Sequence, residues 1–252
     1  MRLQFVSDIH LELRDLEPYE SIINPRAEML ALLGDIGIPD ERLEKFLKWC
    51  STHFEYVFYV PGNHEYYNTL GISIDKLNKQ LQEICDRSKV IFMNNHVCVV
   101  GKFAIIGSPL WSFIPPDKYE IIENSLNDYK FIYQNTNQKL TPEFTSKEFE
   151  KNIEFIASSI KDMHRDQKTI IVLTHHVPVL NGTSHPRYDN MPTNHAFATN
   201  ISHLPHHIQY WLCGHTHHNF HIKTPYFRLM SNQWGYGTTP EEFYNPNLVI
   251  HL

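Results

Sequence analysis

Five short apolar runs in this chain end in the same chemistry. LQFV (3–6) runs into Ser7-Asp8-Ile9-His10, and MLALL (29–33) into Gly34-Asp35. VFYV (57–60) is followed by Pro61-Gly62-Asn63-His64-Glu65, TIIVL (169–173) by Thr174-His175-His176, and QYWLC (209–213) by Gly214-His215-Thr216-His217. Runs of this length, rich in β-branched and aromatic residues, read as buried strands. Any strand ends in a polar turn, so one such ending carries little. Five endings rich in Asp, Asn and His point to one shared site, and ligands in open α/β sheets sit at the carboxyl ends of strands.

Amphipathic helices fall between the strands. Leu43, Phe46, Leu47 and Cys50 repeat with helical spacing after Asp40, a suitable N-cap. Ile74, Leu77, Leu81 and Ile84 form a second stripe, and Phe149, Ile153, Ile156, Ile160 and Met163 a third. KVIFM (89–93) reads as a further strand. HVCVVGKFAIIGSPL (96–110) reads as a hairpin turning near Gly101, and FHIKTPYFRLMS (220–231) as another near Pro225. Hairpins are antiparallel, so the expected α/β fold has two mixed sheets packed together with helices outside. No linker or repeat interrupts it, and the expectation is one domain over 1–252. Residues 181–207, rich in Pro, Asn and His and without periodicity, read as a lid or substrate loop.

Composition narrows the function. The net charge is −6 without a Lys/Arg run, so long nucleic acid is not the expected partner, because phosphate neutralisation needs a basic stripe. No apolar run approaches a membrane span, and MRLQFVSDIH does not read as a signal peptide. Cys50, Cys85, Cys98 and Cys213 have no CxxC spacing and read as reduced thiols of a cytoplasmic protein. No protein partner is evident.

The polar endings supply Asp8, His10, Asp35, Asn63, His175, His215 and His217: carboxylate, amide and imidazole, with no thiolate. Such a set suits Mn, Fe or Zn better than Ca. It exceeds what one tetrahedral zinc needs, so two divalent or transition-metal ions are the economical expectation. Asp8 with His10, and His215 with His217, are two residues apart. In extended backbone each pair would face one way.

The blocks Asp8-x-His10, Gly34-Asp35, Gly62-Asn63-His64-Glu65, His175 and Gly214-His215-x-His217, in that order, resemble the calcineurin-like metallophosphoesterase superfamily. Further segments resemble a small phosphohydrolase branch of it: NHEYY (63–67), SPLW (108–111), LNDYKFI (126–132), LTPEFT (140–145) and THHVP (174–178). The resemblance spans essentially the whole chain. It implies a four-layer αββα sandwich with Asp8, His10, Asp35 and His217 on one metal. Asp35, Asn63, His175 and His215 would hold the other, with Asp35 bridging and His64 as general acid. It also implies a phosphoesterase acting through a metal-bridging hydroxide on a small phosphate ester. A diester is favoured, because basic residues to clamp a monoester dianion are not evident. A nuclease acting on short or single-stranded ends, or a non-catalytic metal-binding scaffold, are the alternatives.

Two departures stand out. Ile38 in GDIGIPD lacks the second acid of protein phosphatases, which leaves the partner of His64 unidentified. Trp234 in SNQWGYG (231–237) stands where relatives resemble NPRGYG. His176 and Tyr66 are expected near the substrate. His218 and His221 are read as bystanders, and His185, His195, His203, His206 and His207 as solvated or turn-stabilising residues.

Overall fold

A computed structural model describes residues 1–14, 18–201 and 207–252; His203 and His206 lie outside the described residues. The strands in chain order are β1 (Arg2–Val6), β2 (Met29–Leu33), β3 (Tyr56–Val60), β4 (Ile91–Phe92), β5 (His96–Val100), β6 (Phe103–Ser108), β7 (Tyr133–Asn135), β8 (Gln138–Lys139), β9 (Thr169–Thr174), β10 (Ile208–Cys213), β11 (His221–Lys223), β12 (Arg228–Ser231) and β13 (Val249–His251). The helices are α1 (Glu41–His53), α2 (Ile74–Ser88), α3 (Tyr119–Ser125), α4 (Asp128–Phe131) and α5 (Pro142–Arg165).

One sheet has the order β13-β1-β2-β3-β4, and the other β11-β12-β10-β9-β6-β5. β1 to β4 run parallel, with β13 antiparallel at the edge. In the second sheet β12, β10, β9 and β6 are parallel, and β11 and β5 close the edges antiparallel. Both sheets are therefore mixed, and both expected hairpins are present.

Strand periodicity builds the layers. Met29, Ala31 and Leu33 of β2 point between the sheets, against Phe103, Ile105, Ile171, Leu173 and Leu212. Leu30 and Leu32 point outward onto Leu43, Phe46 and Leu47 of α1 and Leu77 and Leu81 of α2. The far face of the second sheet, with Ile106, Ile170, Val172 and Trp211, packs on Ile156 and Ile160 of α5. Helix, sheet, sheet and helix stack as the expected four layers. Parallel strands covered on both faces are apolar throughout, which is why the runs showed no alternation.

Asp40 starts α1 by accepting from the backbone N–H of Arg42 and Leu43, and Thr141 starts α5 by accepting from that of Phe144. KVIFM contributes only two strand residues. Lys89 closes α2 with φ of 57°, and the Val90 N–H returns to the Cys85 carbonyl. The two sheets are also joined directly. Past β1 and β12, Ser7 and Gln233 form a parallel bridge. Ser7 N–H donates to Asn232 O, and Trp234 N–H donates to Ser7 O. This seam lies at the carboxyl ends of the strands. No helix among the described residues is long and apolar enough to cross a membrane.

Candidate metal centre

Because β1, β2 and β3 are parallel, as are β9 and β10, all five polar endings emerge on one edge of the sandwich. Asp8, His10, Asp35, Asn63 and His175 are all buried there, with His215 and the partly exposed His217 beside them. The extended geometry expected for the spaced pairs is not what brings them together. Asp8, His10, Asp35, His215 and His217 all adopt left-handed backbone, with φ between 48° and 74°. Each such non-glycine residue costs about 1–2 kcal/mol. Cross-strand bonds hold the strain: Asp8 N–H to Gly34 O, His10 N–H to Asp35 O, and Gly235 N–H to Asp8 O. Two glycines are dictated by crowding. A Cβ on Gly62 would lie 2.3 Å from Asp35 Oδ1, and one on Gly214 would lie 2.6 Å from Asp8 Oδ2.

The side chains form two clusters that share Asp35. In the first, His217 Nε2 lies 3.2 Å from Asp8 Oδ1 and 3.2 Å from His10 Nε2, which is 3.9 Å from Asp35 Oδ2. In the second, His175 Nε2 lies 3.4 Å from Asp35 Oδ1, 3.0 Å from Asn63 Oδ1 and 3.1 Å from His215 Nδ1. The two Asp35 oxygens thus face different clusters. Backbone and carboxylate acceptors fix the tautomers. His175 donates Nδ1–H to Leu33 O (2.8 Å), and His10 donates Nδ1–H to Glu12 Oε1 (3.0 Å). In the neutral ring each Nε2 then turns a lone pair toward other acceptors. Acceptors crowded face to face at these distances are repulsive unless a proton or cation sits among them. The donor set fits divalent metals: Asp8, His10, Asp35 and His217 could hold one, and Asp35, Asn63, His175 and His215 a second.

Electrostatics agree. Burial opposes ionisation of Asp35, but His175 and His64 hold its carboxyl well below the usual range. Burial likewise opposes charge on His175, and Asp35 outweighs it, pushing the imidazole up to about 10. His215, buried beside His176 and His175, is held well below its ordinary value. Without metal, the second cluster therefore keeps a proton on His175.

His64 stands beside the shared carboxylate, its backbone N–H on Asp35 Oδ1 at 2.8 Å. Its Nδ1–H donates to Glu12 Oε1 at 3.1 Å, and its Nε2 lies 2.8 Å from the Tyr236 hydroxyl. Glu12 thus supplies the contact that Ile38 lacks, with one oxygen serving both His10 and His64. Burial opposes charge on His64, but Asp35 and Glu12 prevail and push it up to about 9. Tyr67 lies against the ring, 4.1 Å between centroids and 21° from parallel. Glu65 ties loops together, accepting from the backbone N–H of Asp35, Ile36 and Gly62 and from the Tyr59 hydroxyl. Gln233 accepts from His217 N–H at 2.7 Å and donates to His218 O at 2.7 Å, which shapes the second ligand loop.

A cavity of about 670 Å³ opens beside the clusters, walled by Asp35, Asn63, His215, His217 and Tyr236 and, across from them, Arg187, Tyr188, Met191 and Phe197 of the 181–207 segment. His185 and His218 also line it, their rings 6.1 Å apart; His221 is exposed on β11. Tyr66 and His176, expected near the substrate, lie buried away from the cavity wall. Tyr66 is 1% exposed, donates to Asn78 Oδ1 and packs on Trp111. His176 is equally buried behind His215, and burial pushes it down to about 3. Neither reaches the cavity, because the turns carry their side chains inward. Trp234 is buried against Tyr244. The loop after it is held instead by Arg14, which donates to Gly235 O at 2.7 Å and also to Gly237 O.

Residues 1–219 match the family model for calcineurin-like phosphoesterases. The chain belongs to this family of metal-dependent phosphoesterases. An uncharacterised protein of Acanthamoeba polyphaga mimivirus is 36% identical over 273 residues, covering 99% of this chain and 96% of its own. Among solved structures, phosphopantetheinyl hydrolase from Mycobacterium tuberculosis superposes with a TM-score of 0.68 at 17% identity, covering 93% of this chain and 89% of that one. A dimetal phosphatase from Danio rerio gives 0.55 at 13% identity, covering 92% and 86%. Both are similar to this chain in fold.

Proposed function

We propose that this protein is a binuclear metal-dependent phosphoesterase that hydrolyses a small phosphodiester, with phosphomonoesters as the poorer substrates. The observation that carries the reading is the pair of acceptor clusters sharing Asp35, with His64 beside them and a cavity opening alongside. When bound, two metals would neutralise the phosphoryl oxygens and activate water. The remaining steps fall to side chains. Asp35 would bridge, with Asp8, His10 and His217 on one side and Asn63, His175 and His215 on the other. Asp35 and Glu12 keep His64 protonated, so its Nε2–H is available to the leaving oxygen, a transfer worth about 10²–10⁴-fold. Glu12 holds the Nδ1 side and so aims Nε2 outward.

The described part of the 181–207 segment, from Ser184 to Phe197, would serve as the wall that holds the ester's organic group. Arg187 is the one Lys or Arg on the described wall, and Glu241 and Glu242 share it. That balance suits a singly charged diester better than a dianion, although Arg187 is a basic group the sequence did not reveal there. Mn²⁺ is the proposed working ion. All seven ligand positions and His64 are present, which favours an enzyme over a scaffold.

The test assays the purified protein with Mn²⁺ on bis(p-nitrophenyl) phosphate and p-nitrophenyl phosphate, with Asp35→Asn and a chelator as controls. Faster turnover of the diester, abolished by both controls, is expected. Failure to cleave either ester with two metals bound would end the reading, and an unimpaired Asp35→Asn would remove the bridge.

A further inference from the structure

Asp128 belongs to LNDYKFI, a segment to which the site as described gives no task. Its carboxylate is buried at the start of α4. One oxygen, Oδ1, accepts two hydrogen bonds: from Asn63 Nδ2 at 2.8 Å and from the Tyr67 hydroxyl at 2.5 Å. The first bond decides which end of the Asn63 amide faces the cluster. An amide offers a cation its oxygen and never its NH₂. With Nδ2 committed to a buried carboxylate, Oδ1 turns the other way, to within 3.0 Å of His175 Nε2. The second bond fixes Tyr67, whose ring lies nearly parallel on that of His64. A side chain 65 residues away in sequence from Asn63 thus holds both the amide of one cluster and the platform under the imidazole.

We propose that Asp128 is a positioning residue for two groups at once. It sets the amide orientation of Asn63 for one metal and, through Tyr67, the plane of the His64 ring. The His64 half rests on the phosphoesterase reading above, whereas the Asn63 half concerns metal affinity alone. The arrangement fits the general behaviour of groups that orient ligands from behind, whose loss typically weakens metal binding or activity about 10–100-fold.

The test is a double-mutant cycle read by calorimetric titration of metal-free protein with Mn²⁺, using Asp128→Ala, Asn63→Ala and the pair. Asp128→Ala is expected to weaken one Mn²⁺ equivalent about 10–100-fold and to spare the other. In the Asn63→Ala background it should cost that equivalent nothing more, the signature of action through Asn63. Asp128→Asn keeps an acceptor oxygen and should restore most of the affinity. Additive losses in the pair, or equal weakening of both equivalents, would overturn the assignment. Tyr67→Phe keeps the ring and removes its hydroxyl bond. It should lower kcat about tenfold with KM and Mn²⁺ affinity unchanged; a wild-type kcat would remove the His64 half. The titration needs no turnover. Coupled losses in a protein that cleaves no ester would keep Asp128's role and end the phosphoesterase reading; additive losses in an active enzyme would do the reverse.

Discussion

Glu12 is the side chain on which most of the site's proton placement depends. Burial opposes its charge, yet hydrogen bonds from His10 and His64 bring it down to about 2, so it is ionised throughout the working range. Because an ionised carboxylate only accepts, it forces the Nδ1 proton onto both imidazoles and leaves both Nε2 atoms on the side away from it, that of His10 toward His217 and that of His64 toward Tyr236. Glu12→Gln is expected to lower kcat about 10–100-fold with little change in KM, measured by steady-state kinetics alongside metal content. His175 sets a second expectation. With Asp35 outweighing its burial, it holds a proton up to about 10 in the metal-free protein. A metal must displace that proton, so affinity should climb with pH across the neutral range, with proton release upon binding. Titration calorimetry in buffers of different ionisation enthalpy measures both, and a pH-independent affinity would contradict it.

At the level of elements, five of the parallel strands, β1, β2, β3, β9 and β10, deliver the ligands from the turns that follow them, and left-handed residues shape the turns after β1, β2 and β10. The apolar runs and their endings were legible in the sequence because strand and ligand block are contiguous. Both hairpins and the three main helices were legible for the same reason. What was illegible depends on distant partners. Glu12 meets His64 across 52 residues, and Asp128 meets Asn63 across 65. No local spacing encodes either pairing. Tyr66 and His176 misled because a turn's polarity does not reveal which side chains it folds inward. The i, i+2 spacing does bring Asp8 and His10 to one cluster, but through strained left-handed rather than extended backbone, and it sends His215 and His217 to different clusters. α1 offers a control remote from the clusters. Asp40→Ala removes its N-cap bonds and should cost about 1 kcal/mol, a Tm loss of roughly 2–4 °C for a chain of this size. Mn²⁺ stoichiometry should stay unchanged, as thermal melts paired with metal analysis would record.

Across the whole molecule, the clusters draw on both sheets. Asp8, Asp35 and Asn63 follow strands of the first, and His175, His215 and His217 strands of the second. Any metal bound there links the layers and favours the folded state by mass action. Mn²⁺ at about 100 times Kd is worth about 2.7 kcal/mol per site, or roughly 5–10 °C in Tm, reversed by chelator. A melting temperature indifferent to Mn²⁺ and chelator would contradict this. The Ser7–Gln233 bridge gives the two layers a further property. It acts as the spine of a book whose pages are the sheets. Relative motion of the layers is expected to be smallest along this line, where backbone hydrogen bonds tie Ser7 to Asn232 and Trp234. The ligands of both sheets lie beside that line, so their spacing is expected to be the part of the sandwich least disturbed by such motion.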